Sequence, residues 1–446
     1  MTLVESQIAE WRRFVGSAPA VNGQDLDELE SHLRDQIIEL GEAGLSEDEA
    51  FLVAVKRMGD VDSLSREFAR EHSNRLWKQL VLSSEEDAES TSTEWLMPVG
   101  FAVAAAIVIQ IAVRVAGFPD GPSTWLARNL GLFVLPFLAG YFGVRRRLDA
   151  RQWLLTAAPF VIAALVVNLY PYSDESATEL LVALHLPIVL WFTIGYPYMG
   201  GAIRSHERRM DFVRFTGEWF IYFVLIALGG GVLMGLTGLI LEPIGSDMAE
   251  RVIEWVLPSG VAGAVIVSAW LVESKQRVVE NMAPVLTMIF TPLFAVMLTV
   301  AAVTYAVSGV GTFDRELLGV FDALMVVVLG LVLYSISARD EARPIGLMDR
   351  IQLLAVGSAL VLDVMVLGTM LARIGDLGFT PNRVAALGLN LVLLVNLAWT
   401  ALLSIRFLRG RASMQRIERW QTSYLPVFAA WATAVVVVLP PLFGFE

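Results

Sequence analysis

The sequence of 446 residues contains no cysteine, which excludes disulfide bonds and every site built on a thiolate. Charged residues are also scarce, at 17% of the chain against 56% hydrophobic residues. A soluble protein of this length carries more charge and shorter apolar runs. Many stretches here reach the ~20 apolar residues that a helix needs to cross a bilayer. The composition therefore predicts an all-α fold, that of a polytopic α-helical membrane protein.

The signatures of several enzyme classes are missing as well. The chain has no Walker motif, no HExxH zinc motif and no GxSxG nucleophile turn. Its four histidines are scattered along the chain, at His32, His72, His185 and His206. We therefore expect no catalytic residues, no metal site, no cofactor and no enzymatic activity. An enzyme that acts on a lipid-linked substrate with aspartate and arginine alone is the alternative that this leaves open.

The charge is concentrated at the N-terminal end. Residues 1–94 carry 21 acidic and 9 basic side chains, so this segment accounts for the whole net charge of −12. An acidic surface does not favour nucleic acid or anionic headgroups as partners. A solvated acidic surface and a docking face for a basic protein both remain open. We predict a helical bundle over residues 1–80, an acidic flexible linker over 81–94 and a transmembrane domain over 95–446.

Helical periodicity supports the N-terminal bundle. Val4, Ile8, Trp11 and Phe14 fall on one helical stripe. Further along, LSEDEAF predicts a helix start with a capping box between Ser46 and Glu49. Another helix is predicted to begin near Asp60.

The stretch DELESHLRDQIIELGEAGLSEDEAFLVAVKRMGDVDSLSREFAREH resembles the helical permease prefix domain, which is related to the HAAS signalling domain. The likeness covers about residues 5–73, with the GLSEDEA and MGD segments as its most specific part. In that family the module lies on the cytosolic side of bacterial membrane proteins, ahead of varied membrane domains. The resemblance therefore implies a cytosolic regulatory or docking role, with a possible protein partner bound through residues 1–80.

The apolar runs predict eleven spans, at residues 95–116, 124–144, 152–170, 179–200, 217–241, 250–272, 283–308, 316–337, 350–373, 380–405 and 423–443. With the N-terminus in the cytosol, the inner loops hold 18 lysines and arginines and the outer side holds six. Positively charged loops stay in the cytosol. We therefore expect a multi-pass protein of the bacterial inner membrane, embedded in membrane lipids, with an extracytoplasmic C-terminus.

Three acidic residues fall deeper in the predicted spans than the acids at the span ends. Asp363 lies in the middle of the ninth span, Asp322 about a third of the way into the eighth, and Glu254 one turn inside the sixth. A carboxylate within a bilayer is costly and marks a functional site by default. These residues are our candidates for an intramembrane ion or proton site; the alternative is that they only pack or hydrogen-bond. The neutral or weakly basic polar residues at membrane depth are Gln110, His185, Asn390 and Asn396.

The turn GFTPNR at residues 378–383 separates the ninth and tenth spans. Thr380 suits a helix N-cap and Pro381 suits the first helical position. Arg383 then lies in the first turn, where a cation opposes the helix dipole. We expect it to pair with an acid such as Asp376, or to form an anion-binding pocket with Arg373 on the outer side.

This turn carries a second resemblance. A similar G-x-T-x-x-R turn follows an apolar span in bacterial inner-membrane proteins of domain-of-unknown-function family 4153. The likeness covers about residues 280–443. Because the activity of that family is not established, the resemblance implies no substrate.

Together these features predict a non-enzymatic membrane protein that is a sensor, a regulator or an accessory subunit, with a cytosolic head that docks a partner. The alternative is a secondary transporter or ion-coupled permease that uses Asp363 and Asp322 together with the outer arginines. Transporters often contain internal repeats, and we find no convincing repeat in the sequence.

Overall fold

A computed structural model describes residues 3–15, 23–42, 45–58, 95–117, 124–173, 176–241, 246–274, 276–308, 315–339 and 344–446. Within these ranges every regular element is a helix, as predicted. The chain divides into two compact units, Met1–Trp95 and Leu96–Glu446, and each is described by itself.

The N-terminal unit contains α1 (Leu3–Val15), α2 (Gly23–Glu42) and α3 (Glu47–Met58). Each helix contributes large side chains to one shared core, and Trp11, Leu33 and Phe51 are almost completely buried there. The predicted helix near Asp60 and the predicted linker over 81–94 lie outside the described residues.

Two sets of polar contacts stabilise the helices of this head: a cap at the start of α3 and ion pairs between α1 and α2. The backbone N–H and the hydroxyl of Ser46 both donate to the Glu49 carboxylate, at 3.1 and 2.8 Å, which confirms the half of the predicted capping box that Glu49 supplies. Between α1 and α2, Arg34 bonds both Glu5 and Glu30, and Arg12 also bonds Glu30. These ion pairs hold the pKa of Glu5 and of Glu30 below its usual value.

Ten helices of the second unit are long and apolar enough to cross a membrane, which confirms the multi-pass prediction. They are α4 (Leu96–Val115), α5 (Thr124–Arg145), α6 (Ala150–Leu169), α7 (Ala177–Tyr198), α8 (His206–Leu241), α9 (Ser246–Ser274), α10 (Gln276–Ser308), α11 (Arg315–Ser337), α12 (Leu347–Leu377) and α13 (Pro381–Leu408). The first ten predicted spans fall on these helices in order.

The eleventh predicted span falls on α14 (Met414–Val437) and the short α15 (Leu439–Leu442). It is not among the ten apolar helices, because the first half of α14, MQRIERWQTS, is polar. Even so, α14 packs antiparallel along α7. Thr422 contacts His206 beyond one end of α7, and the Glu446 carbonyl accepts from the Thr178 N–H at the other end. The segment from α14 to Glu446 therefore follows α7 along its full length.

Two hydrophobic cores fill the membrane unit. One is formed mainly by α4, α5, α6, α7 and α9. The other is formed mainly by α10, α11, α12 and α13, with the start of α14. The first turns of α8 contribute to both, since Phe212 and Phe215 lie in the first core and Met210 and Val213 in the second.

A proline inside α9 illustrates how the bundle satisfies backbone groups at membrane depth. Pro258 has no N–H, so the carbonyl of Glu254 loses its intrahelical donor. The Gln110 amide of α4 donates to the Trp255 carbonyl at 2.6 Å and to the Glu254 carbonyl at 3.4 Å. A side chain of a neighbouring helix thus compensates for the proline, as the hydrocarbon environment requires.

Candidate functional site

Asp363 lies near the middle of α12, inside the second core. Its side chain is completely buried, and neither carboxylate oxygen has a hydrogen-bond partner among the described residues. Val356, Ala359, Leu362 and Val366, also on α12, are fully buried around it. An ionised carboxylate in such surroundings is costly, because no hydrogen-bond donor among the described residues replaces the water that it loses. A proton or a bound cation removes this cost.

The second predicted carboxylate, Asp322 of α11, lies close enough to Asp363 for their charges to interact. Asp322 has a partner: the fully buried Asn390 of α13 donates to it at 2.7 Å. The same amide donates to the Ala386 carbonyl at 2.8 Å and approaches the Met370 sulfur at 3.7 Å. The Asn390 oxygen has no partner among the described residues.

The two aspartates lie at different depths. Met370, which contacts Asn390, is seven residues beyond Asp363 on α12, a rise of about 10 Å. Asp322 and Asn390 are therefore nearer the predicted outer end of the bundle, and Asp363 is in its middle. The two carboxylates therefore lie at different depths among three adjacent helices, α11, α12 and α13.

Glu254 does not join this pair. It lies on α9, which packs mainly against α4 and α8 in the other half of the bundle. Asp322 and Asp363 thus lie in the same half of the bundle at different depths, and Glu254 lies in the other half.

A second buried polar network lies between α13 and α14. The Asn396 amide donates to Gln421 at 3.0 Å, Gln421 donates to Thr400 at 2.7 Å, and all three side chains are almost fully buried. The sequence reasoning identified Asn396 and missed Gln421, which lies just outside the predicted eleventh span. Such networks join helices where hydrophobic packing alone gives little specificity.

Arg383 has a different partner from the one expected. Its guanidinium donates to the carbonyls of Leu377 and Gly378, at 3.0 and 2.8 Å, where α12 ends. Its backbone N–H donates to the Thr380 hydroxyl, which confirms the predicted N-cap, with Pro381 as the first helical residue. The cation that opposes the dipole of α13 therefore stabilises the negative end of α12.

The other two residues of the predicted outer site both precede this turn, on α12. Asp376 is exposed on the last turn of α12, and no bond joins it to Arg383. Arg373 is half-buried on the same helix. The described contacts of Arg383 are those of a helix cap; they bring no second arginine to it.

A buried ion pair at the predicted outer end was missed by the sequence reasoning. Arg128 of α5 bonds Glu179 of α7, with only 13% and 6% of their side chains exposed. The guanidinium also lies over the ring of Tyr172, 5.0 Å from its centroid. Burial raises the pKa of the Tyr172 hydroxyl. Charge counting placed Arg128 on the outer side, but only the fold brings Glu179 to it, 51 residues away.

The comparisons with known proteins add no relationship: no protein-family model, no curated protein and no solved structure matches this chain. The site must therefore be interpreted from its chemistry. Two carboxylates and an amide oxygen inside an apolar bundle are ligands for a proton or a small hard cation.

Proposed function

We propose that this chain is a non-enzymatic sensor, regulatory or accessory protein of the bacterial inner membrane, and that its membrane domain binds a proton or a small cation at Asp363 and Asp322. The cytosolic head, residues 1–80, docks a protein partner. Binding at the aspartates then biases the arrangement of the surrounding helices, and the head transmits the change.

One observation carries this proposal: the carboxylate of Asp363 is completely buried without a hydrogen-bond partner among the described residues. A residue kept only for packing would be better replaced by leucine or asparagine, because an unpaired buried charge is strongly unfavourable. An acid that exchanges a proton or a cation needs carboxylate oxygens that are not already hydrogen-bonded.

The melting temperature of the purified full-length chain tests the proposal. We expect it to depend on pH, or on the sodium or potassium concentration, between about pH 5 and about pH 9. Asp363→Asn preserves the shape of the side chain and removes its charge, so it should abolish most of this dependence. Asp376→Asn, an exposed position of the same helix, is the matched control and should leave the dependence intact. An unchanged dependence in Asp363→Asn would contradict the proposal.

The alternative, a secondary transporter, is favoured by the different depths of the two carboxylates. An outer acid at Asp322 and a central acid at Asp363 suit stepwise movement of an ion. Liposomes that contain the protein and a pH-sensitive dye separate the two candidates. Ion-dependent proton flux that Asp363→Asn abolishes indicates transport. Binding without flux supports a sensor.

The topology within this proposal rests on the distribution of basic residues. Reporter fusions at Arg147, Arg209 and Arg411 should be active in the cytosol, and a fusion after Gly444 should be active in the periplasm. A cytosolic C-terminus would contradict the eleven-span topology and leave the aspartate site untouched.

A further inference from the structure

An apolar groove lies between α5 and α6, far from the aspartates. Its volume is about 530 Å³, which is within the usual range for small-molecule sites of about 300–1,000 Å³. Aromatic side chains line both of its ends, with Trp125 and Phe133 at one and Trp153 at the other. Small residues in between, such as Gly140 and Ala157, leave the space open.

The groove offers its occupant almost no free polar group. Asn129 and Asn168 donate to each other's oxygens at 3.0 and 2.8 Å, and each amide also donates to a carbonyl of its own helix. The Thr156 hydroxyl donates to the Gln152 carbonyl. Since the amide and hydroxyl groups of the lining are satisfied by the protein, the groove suits a hydrocarbon chain.

The position of the groove indicates that it faces lipid. Its α6 wall includes Val161, which is 56% exposed, and the neighbouring Ile162 and Leu165 are exposed as well. From Trp125 to Gly140 the groove follows α5 for about 22 Å, which exceeds the ~15 Å depth of one leaflet. An acyl chain that enters from one end can therefore lie entirely within it.

The end of the groove at Trp153 lies next to a basic turn. The ring of Trp153 packs directly on Gly143 in the last turns of α5, so that a methyl group at Gly143 would lie 2.5 Å from it. Arg147 follows four residues later and Arg151 lies two residues before Trp153. Both arginines are exposed, and neither has a side-chain partner among the described residues.

The rest of this turn is already neutralised. Arg145 and Arg146 both bond Glu273, and the Asp149 carboxylate accepts from the Gln152 N–H as the cap of α6. The four arginines still outnumber the two carboxylates, so the mouth of the groove is positive. Its charge is complementary to a phosphate group.

The backbone at Arg147 gives an independent indication. Its φ is +52°, a left-handed conformation that favours glycine. The Leu148 N–H bonds the Gly143 carbonyl and the Arg147 N–H bonds the Val144 carbonyl, which together form a Schellman motif that ends α5. Glycine would adopt this conformation with less strain, so the arginine occupies the position at a conformational cost.

We infer that this groove binds one anionic phospholipid, with an acyl chain between α5 and α6 and the phosphate at Arg147 and Arg151. The bound lipid fills the groove between α5 and α6, where α6 packs only loosely against the rest of the bundle. This site is independent of the proposed ion site at Asp363.

Native mass spectrometry of the full-length chain tests the inference, with phosphatidylglycerol and phosphatidylcholine of identical acyl chains as probes. We expect tighter binding of one phosphatidylglycerol. Arg147→Gln should weaken it about fivefold, since one basic side chain near an anionic headgroup contributes roughly 1 kcal/mol. Arg416→Gln, an exposed arginine of another predicted inner loop, is the matched control and should leave the binding unchanged.

Two further variants separate binding from folding. Arg147→Gly relieves the left-handed strain, so the lipid-free protein should melt no lower than the wild type while its preference for phosphatidylglycerol falls. Ala157→Phe fills the groove from its exposed wall and should weaken both lipids.

Equal affinity for the two lipids, or unchanged phosphatidylglycerol binding in Arg147→Gly and Ala157→Phe, would overturn the inference. Equally strong competition by glycerol phosphate, which has no acyl chain, would also overturn it, because the groove would then contribute nothing.

Discussion

Replacement of Arg383 by alanine tests how the turn between α12 and α13 is held. In the wild type the Arg383 guanidinium donates to the last carbonyls of α12, Leu377 and Gly378. Alanine removes both hydrogen bonds and leaves the Thr380 cap of α13 in place. The variant therefore separates the capping of one helix from the start of the next.

The expected loss follows from these contacts. A net hydrogen bond is worth about 0.5–1.5 kcal/mol, and the two bonds here are partly exposed, which places each near the lower limit. The arginine also gains about 0.3–1 kcal/mol from the negative end of α12 and loses a similar amount at the positive end of α13. These dipole contributions offset each other, so Arg383→Ala should destabilise the chain by about 1 kcal/mol.

Thermal unfolding of the purified protein in neutral detergent measures this loss. A decrease of about 2–4 °C is expected, and a smaller one for Arg383→Lys, which keeps the charge and part of the donor capacity. Asp376→Asn should have no effect, because the guanidinium bonds carbonyls and not this carboxylate. If Arg383→Ala is as stable as the wild type, or if Asp376→Asn is destabilised equally, the capping role is refuted.

Two more predictions concern ion pairs, one in the N-terminal head and one in the membrane unit. The pKa of Glu30 is lowered in the folded head, so its ion pairs stabilise the head at pH values above the unfolded-state pKa of about 4.3. This stabilisation is lost as the pH falls through the lower folded-state pKa. We expect residues 1–80 to fold alone, and their circular dichroism should show a loss of helix below about pH 4 that is less dependent on pH in Glu30→Gln. In the membrane unit, Arg128→Ala leaves Glu179 buried and unpaired, which costs about 3–5 kcal/mol when burial is complete. Replacement of both residues by methionine and leucine should restore most of the melting temperature, and failure to do so would show that the pair has another role.

The helices of the membrane unit were predictable from sequence because each one is a nearly uninterrupted apolar run of sufficient length. The start of α13 was predictable in detail, since Thr380 and Pro381 act locally. The eleventh span was less clear, because α14 begins with the polar segment that carries Gln421. That residue is satisfied by Asn396 and Thr400 of α13, which only the fold places beside it.

The site itself was predictable only in part. A charge in a hydrocarbon run is visible in sequence, so Asp363 and Asp322 were identified, as was Glu254. Which of them meet depends on helix packing between distant segments, and the bond between Asn390 and Asp322 joins residues 68 positions apart. For Arg383 the unfavourable helix dipole suggested a carboxylate partner. Main-chain carbonyls at a helix end are also good acceptors, and because every residue has one, the sequence does not reveal which of them bind.

Infrared difference spectroscopy detects the protonation state of the Asp363 carboxyl group itself, on which the proposed function depends. On a change of pH or of cation concentration, we expect a carboxyl band in the purified full-length protein that disappears in Asp363→Asn and persists in Asp376→Asn. A wild-type difference spectrum that Asp363→Asn leaves unchanged would show that this buried carboxyl group exchanges neither a proton nor a cation, and would contradict the proposed function.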